Sequence, residues 1–107
     1  MAFDHVCLTV NDMKWHMDLF IGVFGFHVDK YTGDNPDAPE KVWFKENLQL
    51  NSTEKQIMKE GGIFNHLAIK VKDGEMVLKK LRLLGGEATA AGDNWIMMPT
   101  GLYLEIL

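Results

Sequence analysis

The sequence predicts an α+β fold of two βαβββ modules, and three observations predict it. First, Phe3-Asp4-His5-Val6-Cys7-Leu8-Thr9-Val10-Asn11-Asp12 lies over Phe64-Asn65-His66-Leu67-Ala68-Ile69-Lys70-Val71-Lys72-Asp73 at a constant offset of 61 residues. Phe, His, Val and Asp recur at matching places, and Val6/Leu67 and Leu8/Ile69 match in character. Second, each decamer alternates apolar with more polar residues, the period of a half-buried strand. Third, each copy is followed by an amphipathic stretch closed by glycine, then by short apolar runs that contain Trp43 in one copy and Trp95 in the other. A repeat on this scale marks the structural unit, so it governs how every element is assigned.

In the first strand Val6, Leu8 and Val10 form one face and His5, Cys7 and Thr9 the other. Asp12 stands where a helix N-cap belongs, because its carboxylate can accept from the first free backbone N–H groups. Met13, Met17, Phe20 and Phe24 then run at helical spacing to Gly25, which supplies the left-handed residue that ends a helix. Three strands follow at Phe26 to Tyr31, Lys41 to Lys45 and Leu48 to Ser52, with Asn35-Pro36-Asp37-Ala38-Pro39 as an exposed turn. Thr53 to Gly62, polar and ending in a glycine pair, reads as a linker. The expected organisation is a single domain, 1–107, with module one about 1–53, a linker about 54–62 and module two about 63–107.

The second copy repeats the pattern. Leu67, Ile69 and Val71 stand opposite His66, Ala68 and Lys70, and Asp73 caps a helix that carries Val77, Leu81 and Leu84 and closes at Gly85. Its strands are expected at Glu87 to Ala91, Asn94 to Met98 and Leu102 to Leu107, with Pro99-Thr100-Gly101 turning the last hairpin. A helix between the first two strands of each module covers one sheet face and leaves the other open. The apolar residues at 6, 8, 10, 67, 69 and 71 are expected under the helices, so His5 and His66 look into a concave face.

Composition narrows the function. An apolar share of 47% and a charged share of 24% exclude a disordered or fibrous chain. A net charge of -4 with no run of Lys or Arg argues against nucleic acid and anionic membranes as partners. The longest charge-free stretch, Asn94 to Leu104, is too short to span a bilayer. Asp4 among the first residues is unlike a signal peptide, so a cytoplasmic protein is expected. A single cysteine, Cys7, excludes an internal disulfide and a cysteine-based zinc cluster. As a neutral thiol on the inward face it is expected to pack, not to react.

The last strand of each module completes a candidate metal site. Leu102, Leu104 and Ile106 belong with the helix side, which turns Tyr103 and Glu105 toward the histidines. Leu48 and Leu50 do the same for Gln49 and Asn51, and superposing Leu48-Gln49-Leu50 on Leu104-Glu105-Ile106 makes Gln49 the counterpart of Glu105. His5, Gln49, His66 and Glu105 then occupy equivalent points of the two modules. Two imidazoles, an amide oxygen and a carboxylate suit a borderline divalent ion such as Zn, Ni, Co, Mn or Fe(II), with two places left for water or substrate. Taken singly, each residue has an ordinary explanation: a satisfied core histidine, an exposed edge acid, a polar strand residue. The repeat-equivalent pairing sets them apart. Trp43 and Trp95 either line the cleft or fill the core, and His16 and His27, without repeat partners, read as surface residues.

Phe3-Asp4-His5-Val6 opening a strand, Gly25-Phe26 closing a helix, Phe64-Asn65-His66-Leu67-Ala68-Ile69, and Pro99-Thr100-Gly101-Leu102-Tyr103-Leu104-Glu105-Ile106-Leu107 together resemble the vicinal oxygen chelate superfamily, the glyoxalase/bleomycin-resistance/dioxygenase group. The resemblance covers essentially the whole chain and implies a glyoxalase-like open barrel with a concave metal cleft. It carries the family's ligand positions over to His5, Gln49, His66 and Glu105. This set resembles that of methylmalonyl-CoA epimerases, whereas glyoxalase I enzymes more often have Glu where this chain has Gln49. The resemblance also implies a homodimer, with sites lying within one chain or between two.

Such an ion with a single carboxylate ligand keeps a net positive charge and remains a Lewis acid. The expected function is therefore a metal-dependent isomerase, epimerase or lyase that chelates neighbouring oxygens of a small hydroxy-carbonyl substrate and stabilises an enolate or enediolate. Glu105 is the expected base if it partly leaves the metal, and Thr9, Asn51, Lys70 and Tyr103 are expected to contact substrate, with Lys70 as the partner for an anionic group. Arg82 is the only arginine, so the guanidinium clamps expected for glutathione or coenzyme A are absent. The alternatives are a metal-free binding protein of the bleomycin-resistance type, which needs no paired histidines, and an Fe(II) dioxygenase using His5, His66 and Glu105, usually a four-module chain.

Overall fold

A computed structural model describes residues 4–54 and 66–107. Most of the expected linker, together with Phe3, Phe64 and Asn65 of the repeat, lies outside the described residues. The chain divides into two compact units, Met1–Ile57 and Met58–Leu107.

The first unit runs β1 (Val6–Val10), α1 (Met13–Asp18), β2 (Val28–Thr32), β3 (Lys41–Phe44) and β4 (Leu48–Ser52). The second runs β5 (Leu67–Ile69), α2 (Gly74–Leu83), β6 (Glu87–Thr89), β7 (Gly92–Met97) and β8 (Tyr103–Ile106). The two sheets have the same topology, β1-β4-β3-β2 and β5-β8-β7-β6. The first strand of each pairs parallel with the last, and the remaining pairs are antiparallel. Each sheet is a mixed four-stranded one, and the fold is α+β as the sequence predicts.

The caps are built as expected. The Asp12 carboxylate accepts from the Trp15 N–H at 3.1 Å, and the Asp73 carboxylate accepts from the Met76 N–H at 3.1 Å. Gly25 and Gly85 end the helical segments at φ 72° and 95°, a region that costs glycine little. At Gly85 the requirement is also steric, since a Cβ there would meet Pro99 Cγ at 2.8 Å. One departure is the helix itself: α1 gives way after Asp18 to a π-helical turn, Leu19–Val23. The wider turn lets the adjacent residues Leu19 and Phe20 both reach the core, at 1% and 0% exposure.

The core of each unit lies under the two central strands. Val42, Phe44, Leu48 and Leu50 are buried in the first, and Ile96, Leu104 and Ile106 in the second. The expectation that Val6 packs under the helix is not met, because Val6 is exposed. It opens β1, which among the described residues is an edge strand with a neighbour on one side only, and along its face burial grows from Val6 through Leu8 to Val10. Leu67 and Ile69, on the edge strand β5, are half-buried for the same reason.

His16 is also corrected. It is buried, not a surface residue, and its Nδ1 lies 2.7 Å from the Asp12 carbonyl oxygen. Desolvation holds its imidazole below the ordinary 6.5, against the opposing pull of Asp12. Met13, His16, Met17 and Phe20 form one apolar stripe, so the helical spacing carried the signal. His27 is exposed as expected, with its Nδ1 2.9 Å from a Glu46 carboxylate oxygen. In the exposed turn, Asn35 Oδ1 accepts from the Asp37 N–H at 2.9 Å, while Pro39 is buried.

Candidate metal centre

The strand registers place Gln49 and Glu105 at the same point of the repeat. Val6 pairs with Leu48 in the first unit and Leu67 with Leu104 in the second, so Cys7 stands across from Gln49 as Ala68 stands across from Glu105. The tryptophans obey the same rule, with Trp43 opposite Gln49 and Trp95 opposite Glu105. Because side chains alternate along a strand, one pairing fixes the facing of its whole row.

In the first unit, Gln49 is 8% exposed, and its Nε2 donates to Asn51 Oδ1 at 2.8 Å. That bond engages the amide nitrogen and leaves Oε1 without a hydrogen bond from the described residues, the state an amide oxygen needs to act as a ligand. His5 lies just ahead of β1, two residues before Cys7, and parity gives it the same facing as Cys7. Its Nδ1 is 2.7 Å from the Asp4 carboxylate. A carboxylate held on one ring nitrogen fixes the tautomer and leaves Nε2 as the ligating atom. Cys7 is exposed, so the expectation that it packs is not met; partial desolvation still pushes its thiol up, with the Lys41 ammonium acting in the opposite sense. This is the condition of an unreactive thiol.

In the second unit, His66 and Glu105 come together. His66 Nε2 lies 3.6 Å from Glu105 Oε1, both side chains being partly shielded, at 30% and 23% exposure. Two atoms that share one divalent ion at about 2.1 Å lie roughly 3.0 Å apart at a right angle and 3.4 Å apart at a tetrahedral one. The observed separation is beyond a good hydrogen bond and close to this range, so the pair fits a shared ion. The His66 ring stands edge-on to Trp95 at 4.5 Å, and Trp95 packs on Tyr103 at 5.1 Å. The Tyr103 hydroxyl is held by Thr89 Oγ1 at 2.7 Å. Lys70 is exposed, one residue beyond β5. Thr9, also exposed, pairs with Asn51 across the parallel ladder.

Thus each unit carries one candidate histidine ligand, His5 or His66, and one strand-borne oxygen donor, Gln49 or Glu105. Among the described residues no three His, Cys, Asp or Glu side chains form a ready-made metal cluster. A cavity of about 800 Å³ lies in the first unit, where Asp12, Glu40, Lys41 and Asn51 are among its lining. Its acids and bases are mixed, and it holds none of the four candidate ligands.

No protein-family model matches the chain, and no curated protein matches it in sequence. Solved structures match over its whole length. The chain is similar to a structure described as a possible glyoxalase from Bacillus cereus, with a TM-score of 0.70 and 16% identity, covering 100% of this chain and 98% of that one. It is similar to the fosfomycin resistance protein FosX from Mesorhizobium loti, with a TM-score of 0.72 and 16% identity over 98% of this chain and 89% of that one. FosX from Listeria monocytogenes, solved with Mn(II) and a sulfate ion, matches at a TM-score of 0.69 and 18% identity over 98% and 89%. The chain has the fold of these glyoxalase and FosX structures.

Within that fold, sequence reasoning missed two lysines. A bulge between Val28 and Lys30 shifts the β2 register so that Lys30 stands opposite Trp43, its Nζ 4.9 Å from the ring centroid. Lys41 pairs with Asn51, next to the Gln49 row. Strand parity could have placed Lys41, since it has the parity of Trp43. Nothing local in the sequence announces the bulge that aligns Lys30.

Proposed function

We propose that the chain is a metal-dependent isomerase, epimerase or lyase in which His5, Gln49, His66 and Glu105 hold one divalent ion, drawn from Zn, Ni, Co, Mn and Fe(II). The observation that supports this most is the shared ladder position of Gln49 and Glu105, each on the strand that pairs with its module's histidine-bearing segment. The Mn(II) in the Listeria FosX structure supports a divalent ion for a protein of this fold. When bound, the ion supplies a Lewis acid for negative charge developing on two neighbouring oxygens of a small hydroxy-carbonyl substrate.

The protein's own groups do the rest. Glu105 accepts the proton from the carbon beside the carbonyl, which requires a carboxylate oxygen within about 3 Å of that carbon. Its return to the neighbouring carbon is isomerisation, and protonation of the same carbon from the opposite face by water, with Glu105 giving its proton to solvent, is epimerisation. Tyr103, fixed by Thr89, and the Thr9–Asn51 pair orient the substrate, and Lys70, just past the other end of β5 from His66, offers a charge. We read the active form as a cytoplasmic homodimer. Among the described residues no helix is long and apolar enough to cross a membrane.

The test is proton exchange. Metal-loaded protein incubated with 2-hydroxy carbonyl compounds in heavy water should place deuterium beside the carbonyl, a chelator should abolish this, and added metal should restore it. Exchange that persists in metal-free protein contradicts the proposal.

A further inference from the structure

The face of the first sheet that carries Gln49 is cationic, although the chain as a whole has a net charge of -4. Two cross-strand rows lie side by side on it. One runs Cys7, Gln49, Trp43, Lys30, and the next runs Thr9, Asn51, Lys41, Thr32. No Asp or Glu stands at any position of these rows. Among the described residues neither the Lys30 nor the Lys41 ammonium is in an ion pair, while Lys14, on the helix of the same unit, is paired with Asp18 at 2.9 Å. The repeat supplies an internal control. Trp43 and Trp95 hold the same ladder position, yet Trp43 carries the Lys30 ammonium against its ring and Trp95 carries the His66 imidazole. Among the described residues the second unit puts no lysine against its tryptophan.

Lysine stacked on an indole keeps its ammonium in place at little entropic cost and leaves donors for a further partner. Lys41 adds a second charge in a row with the neutral Asn51 and Thr9, while the cavity that Lys41 and Asn51 line at that end of the strand also carries Lys14 and the acids Asp12, Glu40 and Glu54. We propose that this face is an oxyanion subsite, and that the substrate carries a carboxylate or phosphonate group held by Lys41 and Lys30 with Thr9 and Asn51. The inference rests on the metal-centre reading for its chemistry, since the subsite adjoins Gln49. It deepens that reading by making the substrate an anion. A point charge from lysine, without a guanidinium fork, suits one small oxyanion better than a pyrophosphate or a peptide.

The experiment uses the full chain in metal-free and zinc-loaded forms. Methylphosphonate and lactate are the oxyanion probes and hydroxyacetone the neutral one, followed through the indole N–H signal of Trp43, assigned with Trp43→Phe. In the metal-free protein both oxyanions, or one of them, should move that signal and hydroxyacetone, which only a bound ion would chelate, should not; the stronger probe tells phosphonate from carboxylate. Lys41→Gln and Lys30→Gln, both at exposed positions, should each weaken the oxyanion by about fivefold, the scale of one exposed charge contact. Weakening below threefold in both variants, equal response to hydroxyacetone, or no response to any probe overturns the subsite. Oxyanion binding that depends on the lysines in a protein that binds no zinc overturns the metal reading and leaves the subsite standing.

Discussion

Replacing Glu105 with glutamine removes one charge and almost no volume, and the structure sets the size of the expected effect. Without metal, Glu105 faces His66 at 3.6 Å from a partly shielded position, and a pair of this kind contributes at most about 1 kcal/mol. Glu105→Gln should therefore fold as the parent does. With metal, the balance differs. A 2+ ion and a carboxylate about 2.1 Å apart attract by roughly 4 kcal/mol even at the dielectric constant of water. The glutamine oxygen remains a neutral ligand and offsets part of that loss. At about 1.4 kcal/mol per decade, the expected weakening of the zinc Kd is roughly 100- to 1,000-fold. Competition against a chromophoric chelator measures it, with circular dichroism to confirm the fold. An affinity within threefold of the parent's refutes the reasoning, because Glu105 would then not be a ligand.

Two further outcomes test the architecture. Phe20 is fully buried among Phe24, Phe26 and Phe44, with ring centroids 5.4 to 6.1 Å away, so Phe20→Ala should cost about 3–5 kcal/mol in urea unfolding; a loss under about 1 kcal/mol would mean the cluster is not packed as described. His16 is buried with its imidazole held below 6.5, so the unfolded chain takes up the proton first as pH falls. Its contribution is complete above about pH 6.5 and is lost below it, by up to about 1.4 kcal/mol per pH unit until the folded imidazole also titrates. His16→Gln should flatten that limb relative to the parent between pH 7 and 5, and a difference independent of pH would show that His16 does not titrate there.

Much of the fold was legible because it is written locally. Asp12 and Asp73 each cap their own helix, Gly25 and Gly85 each end their own helical segment, and the alternation along each strand sets its facing. The pairing of Gln49 with Glu105 was legible for a different reason: the repeat makes one module a template for the other, and the ladder registers agree with it. What escaped depends on partners distant in sequence. Val6 is exposed because β1 is an edge strand, a property of sheet order. Lys30 reaches Trp43 only through a bulge in β2, which a period of two does not encode. His16 lay in plain view on the apolar stripe, but its type drew it toward the surface; the neighbouring Asp12 carbonyl is what makes its burial tolerable.

The central claim is that two imidazoles and two side-chain oxygens from repeat-equivalent positions hold one ion. X-ray absorption on zinc-loaded protein reads those atoms directly. The account predicts one zinc per chain, two imidazoles and only oxygen among the remaining ligands, with one imidazole lost in His66→Ala. A sulfur shell at about 2.3 Å, fewer than two imidazoles, or zinc that does not stay bound would contradict it.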